Sequence, residues 1–209
     1  MRDRDLVRLY WPAQLRPAFD ALFDIDDAMA DVVARSTEPA LGAIKLAWWR
    51  ERLEELDDGK VPAEPRLQAA SAELLRRGIS GGELAELEEG WAGLLAETPD
   101  MALLTEHGAR LFRIAARLLK VDFDDGTFGQ AGRLYIVVHA GRRGLIDMIA
   151  EGSAIGQQRM PRRARTLTGL AALAARDLLR GGPPFEPEAS PGRAWALLRH
   201  RVTGKFPRG

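Results

Sequence analysis

The chain contains no cysteine, which excludes a disulfide framework and any thiolate-ligated zinc site. Histidine is scarce as well. His107, His139 and His200 are scattered, none has a partner at metal-ligand spacing, and no Ser/His/Asp order suggests a nucleophile. Runs of β-branched residues are short, and neither an internal repeat nor a low-complexity segment is visible. The opening MRDRDLVRLYWP is charged, with no apolar run behind it. It therefore predicts neither a secretory signal nor a spanning segment, and the cytoplasm is the expected compartment.

What is present is ordinary for a globular protein: 46% hydrophobic and 29% charged residues in 209. That length supports one domain with a real core, residues 1–209, with residues 1–11 and 204–209 expected to fray. The formal net charge is zero but unevenly spread. Residues 1–100 carry 12 basic and 21 acidic side chains, and residues 159–209 carry 11 and 3. The arginines are scattered rather than clustered with aromatics, so packing of the basic part against the acidic part is expected over nucleic-acid binding.

Almost every segment reads as helix. Leu15, Ala18, Leu22, Ile25, Met29 and Val32 recur at three- and four-residue steps, one stripe of a helix from Pro12 to about Arg35. Thr37 and Pro39 suit an N-cap and a first-turn proline. The helix that follows carries Trp48 and Trp49, both expected as core anchors, and stops at Asp57-Asp58-Gly59. Further helices are predicted over 67–77, from the capping-box pair Ser80 and Glu83 through Leu95, from Pro99 to Leu119, over 128–151, over 161–180, and from Ser190-Pro191. The acidic turn Asp122–Asp125 reads as a helix end, because it lacks the ligand pattern of a calcium loop. Gly129, Gly132, Gly141 and Gly144 follow no strand, so close helix crossings explain them better than a phosphate loop. Tyr135 to Val138 has strand propensity but no partner strand, so helix is predicted there too.

Leu15-Arg16-Pro17-Ala18-Phe19, followed by Ala21-Leu22-Phe23, resembles the LRPAxxALYAF opening of the squalene/phytoene synthase family. Thr37 to Glu51, TEPALGAIKLAWWRE, resembles that family's SEPMLGxIRLQWWRE segment. Phe128 to Leu134 is similar to its LGxAxQL stretch, and Arg159-Met160-Pro161 sits where the family has YLP. The likeness is strong over residues 10–56 and looser beyond, and it is closest to the branch that includes mitochondrial complex I assembly factors. It implies an all-α, single-domain isoprenoid-synthase-like helical bundle, here shortened.

Family members condense prenyl diphosphates, and magnesium held by two acidic motifs on facing helices neutralises the leaving diphosphate. Asp27 and Asp31 have the DxxxD spacing of the first motif. An ungapped match, however, sets the family's acidic positions at Ala30, Asp31 and Ala34. Asp20, Asp24, Asp27 and Asp31 also form one stripe opposite the apolar one, as a solvated face would. The second motif falls on Ala140-Gly141-Arg142-Arg143-Gly144, where two arginines replace acids. Asp147 and Glu151, four apart, are the candidates for a displaced metal pair. Arg142 and Arg143 could hold a diphosphate without metal, or form a solvated patch or ion pairs. The resemblance with its missing acids implies a reduced, non-catalytic member that binds a prenyl-type lipid or a partner protein and needs no cofactor. The alternative is an active magnesium-dependent prenyl diphosphate transferase with rearranged carboxylates. Nucleic acid is not an expected partner, and membrane association is expected to be peripheral at most.

Overall fold

The computed structural model describes residues 1–122, 124–147 and 159–207. Its secondary structure is all-α, with no strand among the described residues. The helices gather into two compact units, one of residues 14–107 and one of residues 1–13 with 108–209.

In the first unit, α2 (Arg16–Arg35) packs on α3 (Pro39–Glu54), on α4 (Pro65–Glu73) and on α6 (Glu88–Ala92). Here α2 follows α1 (Asp3–Tyr10) of the other unit. The expected stripe is buried at Ala18, Leu22, Ile25 and Met29. Burial extends further round α2, to Phe19, Phe23, Ala28 and Ala30, because neighbours cover it on several sides. Each such Phe or Leu contributes about 1.5–3 kcal/mol on leaving water. Thr37 is not the cap of α3. Glu38 holds that position, without a side-chain cap bond, and Pro39 takes the first turn. Trp49 is buried, but Trp48 is half out in solvent, so only one of the two expected anchors serves the core.

Local signals placed most ends correctly. Gly59 and Gly78 adopt the left-handed conformation, with φ of 75° and 78°. Ser80 and Glu83 form the capping box of α5 (Gly81–Ala85). The predicted helix from Ser80 to Leu95 is instead broken into α5 and α6. The carboxylate of Asp57 accepts the Gly81 and Gly82 N–H groups at 2.7 and 2.9 Å, fixing the start of α5 against the end of α3. The next helix, α7 (Met101–Leu119), is capped by Asp100 rather than started by Pro99. Asp100 accepts the Ala102 and Leu103 N–H groups.

Residues of α7 up to His107 belong to the first unit, and those from Gly108 to the second. The second unit also holds α8 (Gln130–Arg142), α9 (Arg165–Leu179) and α10 (Pro191–Thr203). Tyr135 to Val138 lies inside α8, as helix. A Cβ on Gly132 would lie 2.1 Å from the Gly108 carbonyl oxygen, so α7 and α8 cross at backbone contact. Gly144 plays a different part, a left-handed turn with φ of 68° that ends α8 earlier than expected. The rest of the predicted 128–151 helix runs into residues outside those described. Where the sequence suggests a frayed start, α1 is a packed helix with Asp3 and Val7 buried, lying on α9 and α10.

Candidate functional site

Asp27 and Asp31 share one side of α2, and both are half-buried together with Asp20 and Asp24. This row is therefore less solvated than an acidic stripe opposite a core would be. Asp31 accepts a hydrogen bond from Arg35, one turn on, at 3.1 Å. The buried carboxylate of α2 is a different one, Asp26, at 1% exposure. Its Oδ1 lies 2.8 Å from the Trp91 indole nitrogen and 2.7 Å from His107 Nε2. His107 Nδ1 lies 2.7 Å from the Leu87 carbonyl, so that nitrogen must carry a proton and donate. Asp26 Oδ2 accepts no hydrogen bond among the described residues. Gly90 makes room for this arrangement, because a Cβ there would meet His107 Cβ at 2.3 Å. The triad ties α2, α6 and α7 together. Sealed from water, it offers no surface to a substrate.

In the second unit, Arg142 lies within the stretch, residues 140–144, where the resemblance expects the second acidic motif. Its Nε and Nη2 donate to Asp177 at 2.8 and 3.2 Å, and Nη2 also donates to the Glu186 carbonyl at 2.9 Å. The guanidinium stands over the Phe185 ring at 4.8 Å. Asp177 in turn is paired with Arg193, which is buried and chelates Asp3 through Nε at 2.9 and 2.8 Å. Acids and arginines thus alternate as Asp3, Arg193, Asp177, Arg142, each charge compensated by the next. Burial pulls the Arg193 guanidinium down. The hydrogen bonds and charges of Asp3 and Asp177 outweigh that and hold its pKa above the ordinary arginine value. Glu186 extends the cluster by accepting from Arg176, Arg180 and Ser190. The Ser190 hydrogen bond chiefly, against the opposing effect of burial and helped by Arg176 and Arg180, holds its carboxyl below the usual range.

Arg143 goes elsewhere. Its Nε donates to His139 Nε2 at 3.1 Å, and the His139 ring stacks on Tyr135 at 5.3 Å. Asp147 is exposed. Its suggested companion Glu151 lies outside the described residues, so the displaced pair does too.

The donor set argues against a two-motif magnesium centre. Magnesium needs oxygen ligands near octahedral geometry, yet residues 140–144 of the second motif's stretch hold no acid, and Arg142 among them is matched to Asp177. Among the described residues, no group of three or more His, Asp or Glu side chains is gathered to hold one ion. Residues 140–144 do not supply that motif's ligands. Two features were missed in the sequence. The Asp26–His107 pair joins residues 81 apart, and the Asp3–Arg193 pair joins residues 190 apart. No local spacing marks either.

No family model, no curated protein and no solved structure compared with the chain matches it.

Proposed function

We propose that the chain is a non-catalytic relative of the squalene/phytoene synthases that binds a prenyl-type lipid or a partner protein. The observation that carries this reading is the engagement of Arg142. The stretch expected to hold the second acidic motif, residues 140–144, contains no acid, and its Arg142 is tied to Asp177 and to the Glu186 carbonyl. Departure of diphosphate from a prenyl group needs divalent cations to neutralise the developing charge. A stretch with two arginines and no carboxylate offers those cations no ligand.

The rival reading is an active magnesium-dependent prenyl diphosphate transferase. It is favoured by the half-buried row that contains Asp27 and Asp31. Incubation with farnesyl or geranylgeranyl diphosphate and magnesium separates the two. Our reading expects no diphosphate release and no hydrocarbon product above a protein-free blank. Release that is lost in Asp27→Asn or Asp31→Asn would refute it and establish the transferase. Raised thermal stability on adding farnesol or farnesyl diphosphate without magnesium would support the lipid arm.

A further inference from the structure

Helix α10 has two unlike sides. Arg193, Leu197 and His200 are buried in the unit. On the opposite side Trp195, Leu198 and Val202 are 67%, 42% and 65% exposed. At about 100° per residue these three fall within roughly 60° of arc, a single apolar stripe. The core of the unit does not use them.

Cations collect around the same helix. Arg199 lies beside the stripe and is exposed. At the helix end, Arg159 donates to the Thr203 carbonyl at 2.7 Å, and Arg201 donates to the Arg162 carbonyl at 3.3 Å. Lys205 follows directly and is exposed. Among the described residues no carboxylate pairs with Arg159, Arg162, Arg199, Arg201 or Lys205. The crowding acts on their neighbour Arg165. Burial first, then the charges of Arg159, Arg162 and Arg201, hold its guanidinium below the ordinary arginine range.

We infer that the outward face of α10 is a peripheral docking surface for bilayers rich in anionic lipid. Tryptophan favours the headgroup level, and aliphatic side chains beside it reach the acyl boundary. Clustered arginines and lysine add attraction to anionic headgroups. Two other occupants fit less well. Nucleic acid would use stacked aromatics, but Leu198 and Val202 have no ring face to offer. A second copy docked stripe to stripe would bring two uncompensated cationic clusters together. Attachment would be superficial, since no helix among the described residues is long and apolar enough to cross a membrane.

The test is flotation of the full chain with vesicles of phosphatidylcholine plus phosphatidylglycerol, against phosphatidylcholine alone, at low and raised salt. The expected result is binding to the mixed vesicles only, weakening as salt rises. Trp195→Ser and Val202→Ser should each weaken binding roughly tenfold. Arg162→Gln and Arg199→Gln should each weaken it about fivefold. All four side chains are exposed, so thermal melting confirms that the variants remain folded. Absence of binding to anionic vesicles, or wild-type binding by both stripe variants, overturns the inference. So does a wild-type dimer that Trp195→Ser converts to monomer, or an oligonucleotide that outcompetes the vesicles.

Discussion

His200 shows how one side chain sets a response to pH. It is buried, with Nδ1 at 3.0 Å from the Lys205 carbonyl and Nε2 at 2.9 Å from the Thr168 hydroxyl. Burial chiefly, and the charge of Arg165 in addition, hold its pKa below the ordinary 6.5, against the opposing pull of the Lys205 carbonyl. The unfolded chain therefore binds this proton near pH 6.5, while the folded chain refuses it until lower pH. Below 6.5 the unfolded state carries more protons, so stability is full above that value and falls as pH drops beneath it. Urea midpoints followed from neutral pH downward should decline, and His200→Gln should flatten the decline. Parallel curves for wild type and variant would remove His200 as the cause. At this scale the sequence was only partly readable. The stripe of Asp20, Asp24, Asp27 and Asp31 was visible from helical spacing. Asp26, one residue from Asp27, is the buried one, and only its partners Trp91 and His107 reveal that.

Between elements, the contact of α7 and α8 is the most sharply constrained. Gly108 and Gly132 each face the other's carbonyl, and a Cβ on either would meet it at 2.3 or 2.1 Å. Backbone cannot yield as a flexible side chain can, so Gly132→Ala must push the two helices apart. A loss of about 1–3 kcal/mol or more is expected from such overpacking, measurable by chemical denaturation. Gly108→Ala should cost a similar amount. The double variant should cost less than the two together, because the first methyl already opens the crossing. A neutral Gly132→Ala would show that the helices slide apart without penalty. Element ends were legible where the signal is local, as at Gly59, Gly78, Ser80 and Ser190. The cap at Thr37 failed because Glu38 takes the position, and Pro39 alone was a sound guide. The break between α5 and α6 carries no glycine or proline at its centre, so periodicity read straight through it. An exposed Trp48 likewise cannot be told from a buried Trp49 in a helix whose apolar residues do not gather on one side.

On the scale of the whole molecule, the all-α class was legible because alternating apolar steps persist along the chain and no strand pairing competes. The ionic architecture was not. The basic C-terminal segment suggested general packing against the acidic half. Within its own unit, Arg176, Arg180 and Arg193 meet three particular acids, Glu186, Asp177 and Asp3, of which Asp3 alone belongs to the acidic first hundred residues. Arg193→Met should destabilise the protein by about 3–5 kcal/mol, because it leaves Asp3 and Asp177 buried with less compensation. Amide exchange at residues 3–10 should accelerate before that of α9. If α1 kept its protection in this variant, hydrophobic contact through Val7 would be its main anchor instead. The Asp3–Arg193 pair also orders events during synthesis. Residues 14–107 form a contiguous unit and can close as soon as they emerge from the ribosome. The first helix must wait, its acidic anchor unmatched, until nearly two hundred more residues have been translated, as the 190-residue separation of the pair requires.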